Sequence, residues 1–292
     1  MQTDLLAGIQ ILVTRPVQQA QPLCDMLNAH GGQAIQFPVI KIEAMSLSKK
    51  MMNIIKDIDK IDFAVFISPN AVQYGIAQLL AHGKIPDKLK LVTIGKASAQ
   101  KMIQVLGKAP DIYPTEQYNS EALLALDDLQ YEQVNNKKVV IFRGCGGREL
   151  LAESLIQRGA GVFYAEVYQR VKPEPERQSL EAVWGKNSRR PDIITITSDE
   201  GLNNLVAMLG DAISGAAGEK VHDTAYSSNN YYLESLRQVP LVVISEKMRI
   251  KAQMLGFKNT IIVADRVSNK ALLDSVLEWA KMRVILVPPL AH

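Results

Sequence analysis

Several residue types that carry common enzyme chemistry are scarce in this chain. Its 292 residues include only two cysteines, Cys24 and Cys145, and four scattered histidines. Metal sites need Cys, His or carboxylate ligands at short, regular spacings, and neither cysteine has such a neighbour. No histidine lies in a strand-end motif, so the sequence shows no recognisable Ser-His-Asp or Cys-His catalytic set. It also lacks the P-loop motif. We therefore expect neither a metal ion nor a cofactor.

Long apolar runs and a strong charge of either sign are also missing. No apolar stretch approaches the ~20 residues of a membrane span. The net charge is only +3, and no block of five or more Lys or Arg occurs. This balance argues against a membrane or a nucleic acid as partner and suits an anionic small substrate. With few cysteines and no basic-then-apolar leader, we expect a cytoplasmic location.

What the chain does contain is an alternation of strand and helix patterns that occurs twice. Residues 138–172 predict a strand, a glycine turn, a helix, a second glycine turn and a strand, and residues 9–42 repeat this plan. Further segments match in pairs, namely 63–72 with 193–202, 91–107 with 241–256, and 119–124 with 268–273. The length exceeds the usual ~100–200 residues of one domain. Two similar α/β domains with parallel sheets are therefore predicted.

Two extended segments are predicted to cross between the domains. A proline inside a strand implies an edge or a connection, and residues 34–42 contain Pro38. The matching segment, residues 162–171, contains Tyr168 and ends before Pro173. Elsewhere, residues 210–238 are expected to form loops, one of them at residues 227–232, around a short helix, and residues 284–290 a tail or an edge strand.

Candidate binding residues cluster where strands end and helices begin. Free N–H groups and the helix dipole attract anions at helix N-termini. Such N-termini follow Thr14, Ser68, Gly95, Gly144, Ser198 and Ser245. In open α/β sheets ligands bind at the carboxyl ends of the strands, so we expect a cleft between the domains that holds a polyanion. Arg15 and Arg143 are added as cationic candidates.

Simpler interpretations of these residues stay open. Each serine can be a plain helix cap, the two arginines can form surface ion pairs, and Tyr168 can pack between domains. The Gly144–Gly147 turn also invites a dinucleotide-binding interpretation. However, the third glycine of a GxGxxG motif falls at Glu149, whose carboxylate would repel a pyrophosphate. A tight turn before a helix explains the glycines better than NAD or FAD binding.

A distributed set of motifs points to a known family. The set is ILVTRP (11–16), FPVIKI (37–42), FISPNAV (66–72), TIGKASAQ (93–100), YNSEALL (118–124), RGCGGRELLAESLIQRGAGVFYAEVYQR (143–170), TSDEGLNNL (197–205) and a run within 242–273. In this order and spread, the chain resembles the uroporphyrinogen-III synthase family. The 143–170 segment is the most specific part of the resemblance. The alternatives are a two-lobed anion-binding protein and a Rossmann oxidoreductase.

The resemblance implies two flavodoxin-like domains joined by a two-stranded β-ladder. Domain one would comprise residues 1–36 and 173–292, domain two residues 43–165, and the linker strands residues 37–42 and 166–172. It also implies a cofactor-free lyase of haem biosynthesis. This enzyme cyclises hydroxymethylbilane, a linear tetrapyrrole with eight carboxylates, to uroporphyrinogen III, with loss of water and inversion of ring D. A monomer is expected, and a transient contact with the preceding pathway enzyme stays open.

The resemblance also implies roles for individual residues. A tyrosine of the second ladder strand, Tyr168 here, would assist departure of the substrate hydroxyl as an acid. Side chains and N–H groups of the matching turns would bind carboxylates. These substrate-binding candidates are Arg15, Ser68, Asn70, Ser98, Arg143, Gly147, Ser198, Ser245 and Lys247. Many family members carry Thr in the turn where this chain has Ser245, so Lys247 or Arg249 is an alternative carboxylate contact there.

Overall fold

The computed structural model describes residues 5–46, 48–83, 85–147, 149–174, 176–185, 187–211 and 226–286. The chain divides into two compact units. Unit 1 comprises Met1–Lys41 and Val171–His292, and unit 2 comprises Ile42–Arg170.

The described residues alternate between short strands and helices. The strands are β1 (Gln10–Val13), β2 (Gln33–Gln36), β3 (Lys41–Ala44), β4 (Phe63–Phe66), β5 (Lys90–Thr93), β6 (Lys138–Gly144), β7 (Gly161–Val171), β8 (Ile193–Thr195), β9 (Leu241–Val243) and β10 (Ile261–Val263). The helices are α1 (Val17–Ala29), α2 (Lys49–Lys56), α3 (Pro69–Ala81), α4 (Lys96–Leu106), α5 (Ser120–Leu124), α6 (Tyr131–Val134), α7 (Leu150–Gln157), α8 (Arg177–Trp184), α9 (Asp199–Asp211), α10 (Tyr226–Arg237), α11 (Glu246–Met254) and α12 (Asn269–Leu286). Short 3₁₀ turns lie at Ile58–Lys60 and Asp127–Leu129.

Unit 1 is built on a five-stranded sheet in the order β10-β9-β8-β1-β2. All four neighbouring pairs are parallel, with Ile11 in register with both Ala34 and Ile193. A core of buried aliphatic side chains joins β1 to helices α1 and α12, and it includes Leu23, Leu27 and Val276. Strands this apolar need cover on both faces, which is typical of parallel sheets flanked by helices.

Unit 2 is built on a second five-stranded sheet, in the order β3-β7-β6-β4-β5. Its β7-β6, β6-β4 and β4-β5 pairs are parallel. One core lies between this sheet and helices α5 and α7, with Leu123 and Leu155 fully buried. Elsewhere in the unit Phe66 and Phe142 stack with ring centroids 4.6 Å apart, close to Gly75 of α3. These two sheets confirm the prediction of an α/β protein with parallel sheets.

Three local predictions were wrong. Pro38 lies in no strand, because the expected strand 34–42 is divided into β2 of one sheet and β3 of the other. In the region expected to form loops around a short helix, residues 227–232 were predicted as a loop but lie within α10, and residues 212–225 lie outside the described residues. Residues 284–290 were expected to form a tail or an edge strand, but residues 284–286 belong to α12. Residues 287–290 lie outside the described part of the chain.

The strand order fixes where a site is expected in each unit. The chain leaves β1 toward one neighbour, β2, and later returns to its other neighbour, β8. In unit 2, β4 likewise lies between β5 and β6. Such reversals open a crevice outside the carboxyl ends of the strands, where ligands bind in open α/β sheets. We call the carboxyl-terminal end of each sheet its strand-end edge. It begins after β1 at Thr14 in unit 1 and after β4 at Ile67 in unit 2.

Candidate functional site

Two hydroxyl groups meet at the strand-end edge of unit 2. Ser68 follows β4 and caps α3, where its Oγ accepts a hydrogen bond from the Ala71 N–H at 3.0 Å. The same Oγ lies 3.1 Å from the Tyr168 hydroxyl, and either oxygen can be the donor. A serine that already accepts from a backbone N–H still has its own proton to donate. Ser68 is thus a helix cap and a partner of Tyr168 at once.

An irregularity between β6 and β7 determines the position of Tyr168. Arg143 pairs with Glu166, but the next residue, Gly144, pairs with Tyr168, so β7 carries one extra residue. Such a bulge redirects the side chains that follow it. The Tyr168 ring lies against Gly144, where an added Cβ would be 2.7 Å from the ring, and it stacks on Tyr74 at 6.0 Å. The ring is only 5% exposed, which fixes the direction of its hydroxyl.

Arg143 is buried beside a pocket of about 340 Å³. Its side chain is 3% exposed, and its guanidinium lies over the Tyr164 ring at 4.7 Å. The pocket is lined by Ile67, Ile94, Tyr118, Asn119, Ser120, Ile141, Arg143, Leu151, Ala152 and Tyr164. Gly147 packs directly against the guanidinium, since a Cβ at this position would lie 2.8 Å from Nη2. Its φ of +123° also favours glycine. Arg143 does form an ion pair, with Glu149, but its guanidinium is buried and not on the surface.

A single carboxylate bridges Arg143 and Tyr164. Arg143 Nη1 donates to Glu149 Oε1 at 3.1 Å, and the Tyr164 hydroxyl donates to the other oxygen, Oε2. Hydrogen bonds from Tyr164 and then from Arg143 hold the pKa of the Glu149 carboxyl below its ordinary value. Burial, followed by the hydrogen bond to Glu149, raises the pKa of Tyr164 to about 12. The carboxylate stays ionised and the phenol stays protonated over the whole neutral range.

The strand-end edge of unit 1 has a similar composition. Thr14 is buried and donates from Oγ1 to the Thr195 carbonyl at 2.7 Å, which ties the ends of β1 and β8 together. Arg15 Nη1 donates to Asn269 Oδ1 at 2.5 Å, and partial burial lowers the pKa of its guanidinium. Ser198 Oγ accepts from the Gly201 N–H at 2.9 Å, and Ser245 Oγ from the Met248 N–H at 3.2 Å. Both serines are helix caps at this edge.

The remaining candidates differ in their accessibility. Lys247 is 83% exposed and forms an ion pair with Asp199 Oδ2 at 3.1 Å. Asn70 lies in the first turn of α3 and is partly exposed. Ser98 is 3% exposed and lies in the first turn of α4. The alternative contact, Arg249, bonds to Glu246 of its own helix.

Sequence reasoning brought Ser68 and Tyr168 forward but missed their surroundings. Tyr164 and Tyr74 were not singled out, and Glu149 was considered only as an obstacle to a pyrophosphate. Tyr164 lies two residues before Glu166, which pairs with Arg143 in the parallel pair of β6 and β7. The sequence could have indicated Tyr164 only if this pairing had been known. In the described part of the chain, no cluster of three or more His, Cys, Asp or Glu residues could hold a metal ion.

Comparison with known proteins assigns the chain to a family. A family model described as uroporphyrinogen-III synthase HemD matches residues 21–274, most of the chain. The chain belongs to the uroporphyrinogen-III synthase family. The resemblance carried by the sequence motifs is thereby confirmed. The family's activity makes the chain a cyclising enzyme of haem biosynthesis, which removes the oxidoreductase alternative.

Individual family members match over almost their full length. The uroporphyrinogen-III synthase of Salmonella typhimurium is 32% identical over 271 residues, 92% of this chain and 100% of that protein. That of Escherichia coli K12 is 29% identical over 270 residues, again 92% of this chain and 100% of that protein. The solved structure of the Helicobacter pylori uroporphyrinogen-III synthetase has a TM-score of 0.53 at 14% identity, covering 93% of this chain and 99% of that one. This last match supports the fold alone. Within the described residues, none of the helices has the length and apolar character needed to cross a membrane.

Proposed function

We propose that the chain converts hydroxymethylbilane to uroporphyrinogen III without a cofactor, and that Tyr168 assists the departure of the hydroxyl group. The observation that carries the role of Tyr168 is its contact with Ser68 at the carboxyl ends of the unit 2 strands. Family membership supplies the overall reaction. The residue roles are those that the family resemblance implies, and the geometry of the described residues supports them.

The reaction begins with loss of the terminal hydroxyl as water. The C–O bond breaks, the pyrrole nitrogen lone pair stabilises the developing cation, and a proton reaches the leaving oxygen, giving water and an azafulvenium ion. Ring D then attacks through its substituted carbon to form a spiro intermediate. Fragmentation and recombination invert ring D, and proton loss restores the aromatic pyrroles. The protein has to supply a proton, positioning and charge stabilisation for these steps.

The Ser68–Tyr168 pair is suited to the first of these steps. The phenol of Tyr168 can donate a hydrogen bond to the departing oxygen. If Ser68 donates to the Tyr168 oxygen at their 3.1 Å separation, the tyrosine proton is free to point at the substrate. The serine then also stabilises the negative charge that develops on the phenol oxygen. The N–H of Ala71 keeps the serine oxygen in this orientation.

The substrate carboxylates are proposed to bind groups at the two strand-end edges. Ser68, Ser198 and Ser245 stand at the N-termini of α3, α9 and α11, where free N–H groups favour anions. Arg15, Asn70, Arg143, Gly147 and Lys247 remain the additional substrate-binding candidates. For Lys247, a substrate carboxylate would have to compete with Asp199. Ser98, in the first turn of α4, is a further candidate, and like Arg143 it is buried.

We also infer the finer architecture. In unit 1 the sheet order corresponds to 2-1-3-4-5 when its strands are numbered within the unit, which is the flavodoxin-like order. The neighbouring strands β3 and β7 are the proposed two-stranded ladder. Their residue ranges overlap in part with the expected linker strands, 37–42 and 166–172. The expected domains, 1–36 with 173–292 and 43–165, differ from the compact units by only a few residues at each boundary.

The state and location of the protein complete the proposal. We infer a monomer that works in the cytoplasm, which two free cysteines, Cys24 and Cys145, support because reducing compartments keep thiols unpaired. A transient contact with the enzyme that delivers hydroxymethylbilane is compatible with the instability of that substrate. Neither a membrane nor a nucleic acid is needed as a partner.

The substitution Tyr168→Phe tests the proposal. It removes the donor but keeps the ring, so kcat for hydroxymethylbilane consumption should fall about ten- to hundredfold, the value of a hydrogen bond to a developing charge. The product should remain isomer III, since ring inversion depends on positioning. Tyr74→Phe, which alters the stacking neighbour, is the matched control and should keep kcat within about threefold. Equal kcat values for wild type and Tyr168→Phe would remove Tyr168 from the mechanism.

A further inference from the structure

We propose that Arg143 and Tyr164 form a binding site for one carboxylate group of the substrate, and that Glu149 occupies this site when the substrate is absent. The proposal rests on the proposed function, since it assigns a place to one side chain of the polycarboxylate substrate. The site lies wholly within unit 2, at the pocket beside the carboxyl end of β6.

The first observation is the geometry of the two donors. Arg143 Nη1 and the Tyr164 hydroxyl converge on the two oxygens of one carboxylate, that of Glu149. The guanidinium lies over the Tyr164 ring, so the two donors hold each other in place. Arg143 donates from Nε to the Gly146 carbonyl at 3.0 Å, which fixes its orientation further. Two fixed donors at the spacing of a carboxylate form a receptor for any carboxylate that reaches them.

The second observation is an unused hydrogen-bond donor. Arg143 is 3% exposed, and its Nη2 is buried without a hydrogen-bond partner among the described residues. A buried cationic donor without a partner is costly and is uncommon unless a ligand or solvent satisfies it. Arg143 and Tyr164 both line the 340 Å³ pocket, which has room for a short carboxylate side chain. Glu149 therefore leaves part of the binding capacity of Arg143 unused.

The third observation is that Glu149 can be replaced. Its side chain is 52% exposed, whereas the arginine that it contacts is buried. In such an exchange the buried Arg143 keeps a carboxylate partner, and the half-exposed Glu149 carboxylate is readily solvated. Glu149 is carried by the turn after β6, in which Gly146 and Gly147 have positive φ values. Glycines tolerate changes of backbone conformation that other residues do not. An incoming carboxylate can thus take the place of Glu149 at a small cost.

A purely structural role for the Arg143–Glu149–Tyr164 contacts makes the opposite prediction for one variant. If Glu149 only stabilises the turn, Glu149→Gln should weaken substrate binding or leave it unchanged. If Glu149 competes with the substrate, Glu149→Gln should strengthen binding. Glu153→Gln is the matched control, because Glu153 is an exposed carboxylate on the adjacent helix α7 and its loss changes the net charge equally.

Steady-state kinetics with hydroxymethylbilane provide the first test. We expect Glu149→Gln to lower KM about two- to fivefold relative to Glu153→Gln, because the substrate then no longer has to displace a charged, half-exposed side chain. Tyr164→Phe should raise KM about two- to tenfold, because one donor to the carboxylate is removed. A KM for Glu149→Gln equal to or above that of Glu153→Gln would overturn the proposal.

A binding measurement without turnover provides the second test and separates this proposal from the proposed function. The full chain, labelled with ¹⁵N, is titrated with tricarballylate, a flexible tricarboxylate, while the Arg143 Nε–H signal is followed by NMR. The signal is assigned by its absence in Arg143→Lys. We expect a saturable shift at lower concentrations for Glu149→Gln than for wild type, and a weaker response to inorganic phosphate. No shift, or an equal response to phosphate, would overturn the carboxylate site even if the enzyme makes isomer III. Conversely, a chain that binds tricarballylate here but fails to turn over hydroxymethylbilane would refute the proposed function alone.

Discussion

At the scale of single residues, the pair Tyr164–Glu149 makes stability depend on alkaline pH. The pKa of Tyr164 is raised to about 12 in the folded chain, above the ~10 of an unfolded tyrosine. The folded state therefore holds its proton more tightly, and the resulting stability is fully present below pH ~10 and lost as the pH rises toward 12.

This dependence can be measured by urea unfolding at several pH values between 9 and 12. The wild type should lose more stability over this interval than Tyr164→Phe. Tyr131→Phe, at an exposed tyrosine of α6, is the control and should follow the wild type. Identical slopes for wild type and Tyr164→Phe would contradict the assignment of the raised pKa to Tyr164.

Gly144 tests whether the position of the Tyr168 ring is important. An alanine Cβ at residue 144 would lie 2.7 Å from the ring, closer than real contacts allow, so the ring has to move. Gly144→Ala should therefore lower kcat about as much as Tyr168→Phe, with correctly folded protein by circular dichroism. Gly161→Ala, in which the new Cβ meets its nearest atom at 3.8 Å, is the strand-glycine control and should keep its activity.

At this scale the sequence identifies residues but not their contacts. Ser68 and Tyr168 were both chosen as candidates, yet they are 100 positions apart and meet only because β7 carries a bulge beside β6. Arg143 was expected to be either a ligand contact or a surface ion pair. Its burial follows from its position at the end of β6, between Tyr164 and the turn at Gly147, which no local pattern encodes.

At the scale of elements, the caps of α2 and α3 form a matched pair. Ser48 and Ser68 each accept a hydrogen bond from the N–H three residues later, so alanine at either position should cost about 1 kcal/mol of stability. Only Ser68 also contacts Tyr168. Ser68→Ala should therefore lower kcat severalfold, whereas Ser48→Ala should not. Unfolding curves and kcat values for both variants test this, and an equal effect on kcat would reduce Ser68 to a plain cap.

The glycine of α3 shows packing overruling helix propensity. Alanine normally stabilises a helix interior by about 1 kcal/mol relative to glycine. At Gly75 an added Cβ would lie 2.7 Å from Phe142 and 2.9 Å from Phe66, so Gly75→Ala should instead destabilise by about 1–3 kcal/mol. Gly210→Ala in α9, with its nearest atom at 3.7 Å, should keep or raise stability. Thermal unfolding distinguishes the two variants. A higher Tm for Gly75→Ala than for wild type would contradict the prediction and would show that the stacked rings can move to accommodate the new Cβ.

The elements that the sequence predicted well are those with a strong local signal. Apolar runs followed by a capping serine gave β4 with α3, β8 with α9, and β9 with α11. The failures have physical causes. In residues 226–237 the Ser-Ser-Asn-Asn composition favours loops, but the segment packs as α10 against α9. Around Pro38 the chain keeps hydrogen bonds from Phe37 and Val39 to the end of β1 without forming a strand.

At the scale of the whole molecule, the internal similarity of the sequence anticipated two parallel sheets. The paired segments fall into the two compact units, so that the strand-end motifs of each unit gather at one sheet edge. The sequence could not have shown which edge groups are already occupied. Glu149 on Arg143 and Asp199 on Lys247 are carboxylates of the protein itself, positioned by turns whose geometry only the folded chain defines.

The central claim is that this chain directs ring closure of hydroxymethylbilane with inversion of ring D. Its most direct test incubates the purified protein with hydroxymethylbilane, oxidises the products to porphyrins and separates the isomers by chromatography. Spontaneous closure, measured in parallel without protein, gives the isomer without inversion, isomer I. The account predicts that isomer III dominates with protein present. A product of isomer I alone would contradict it and would leave an anion-binding protein as the better description.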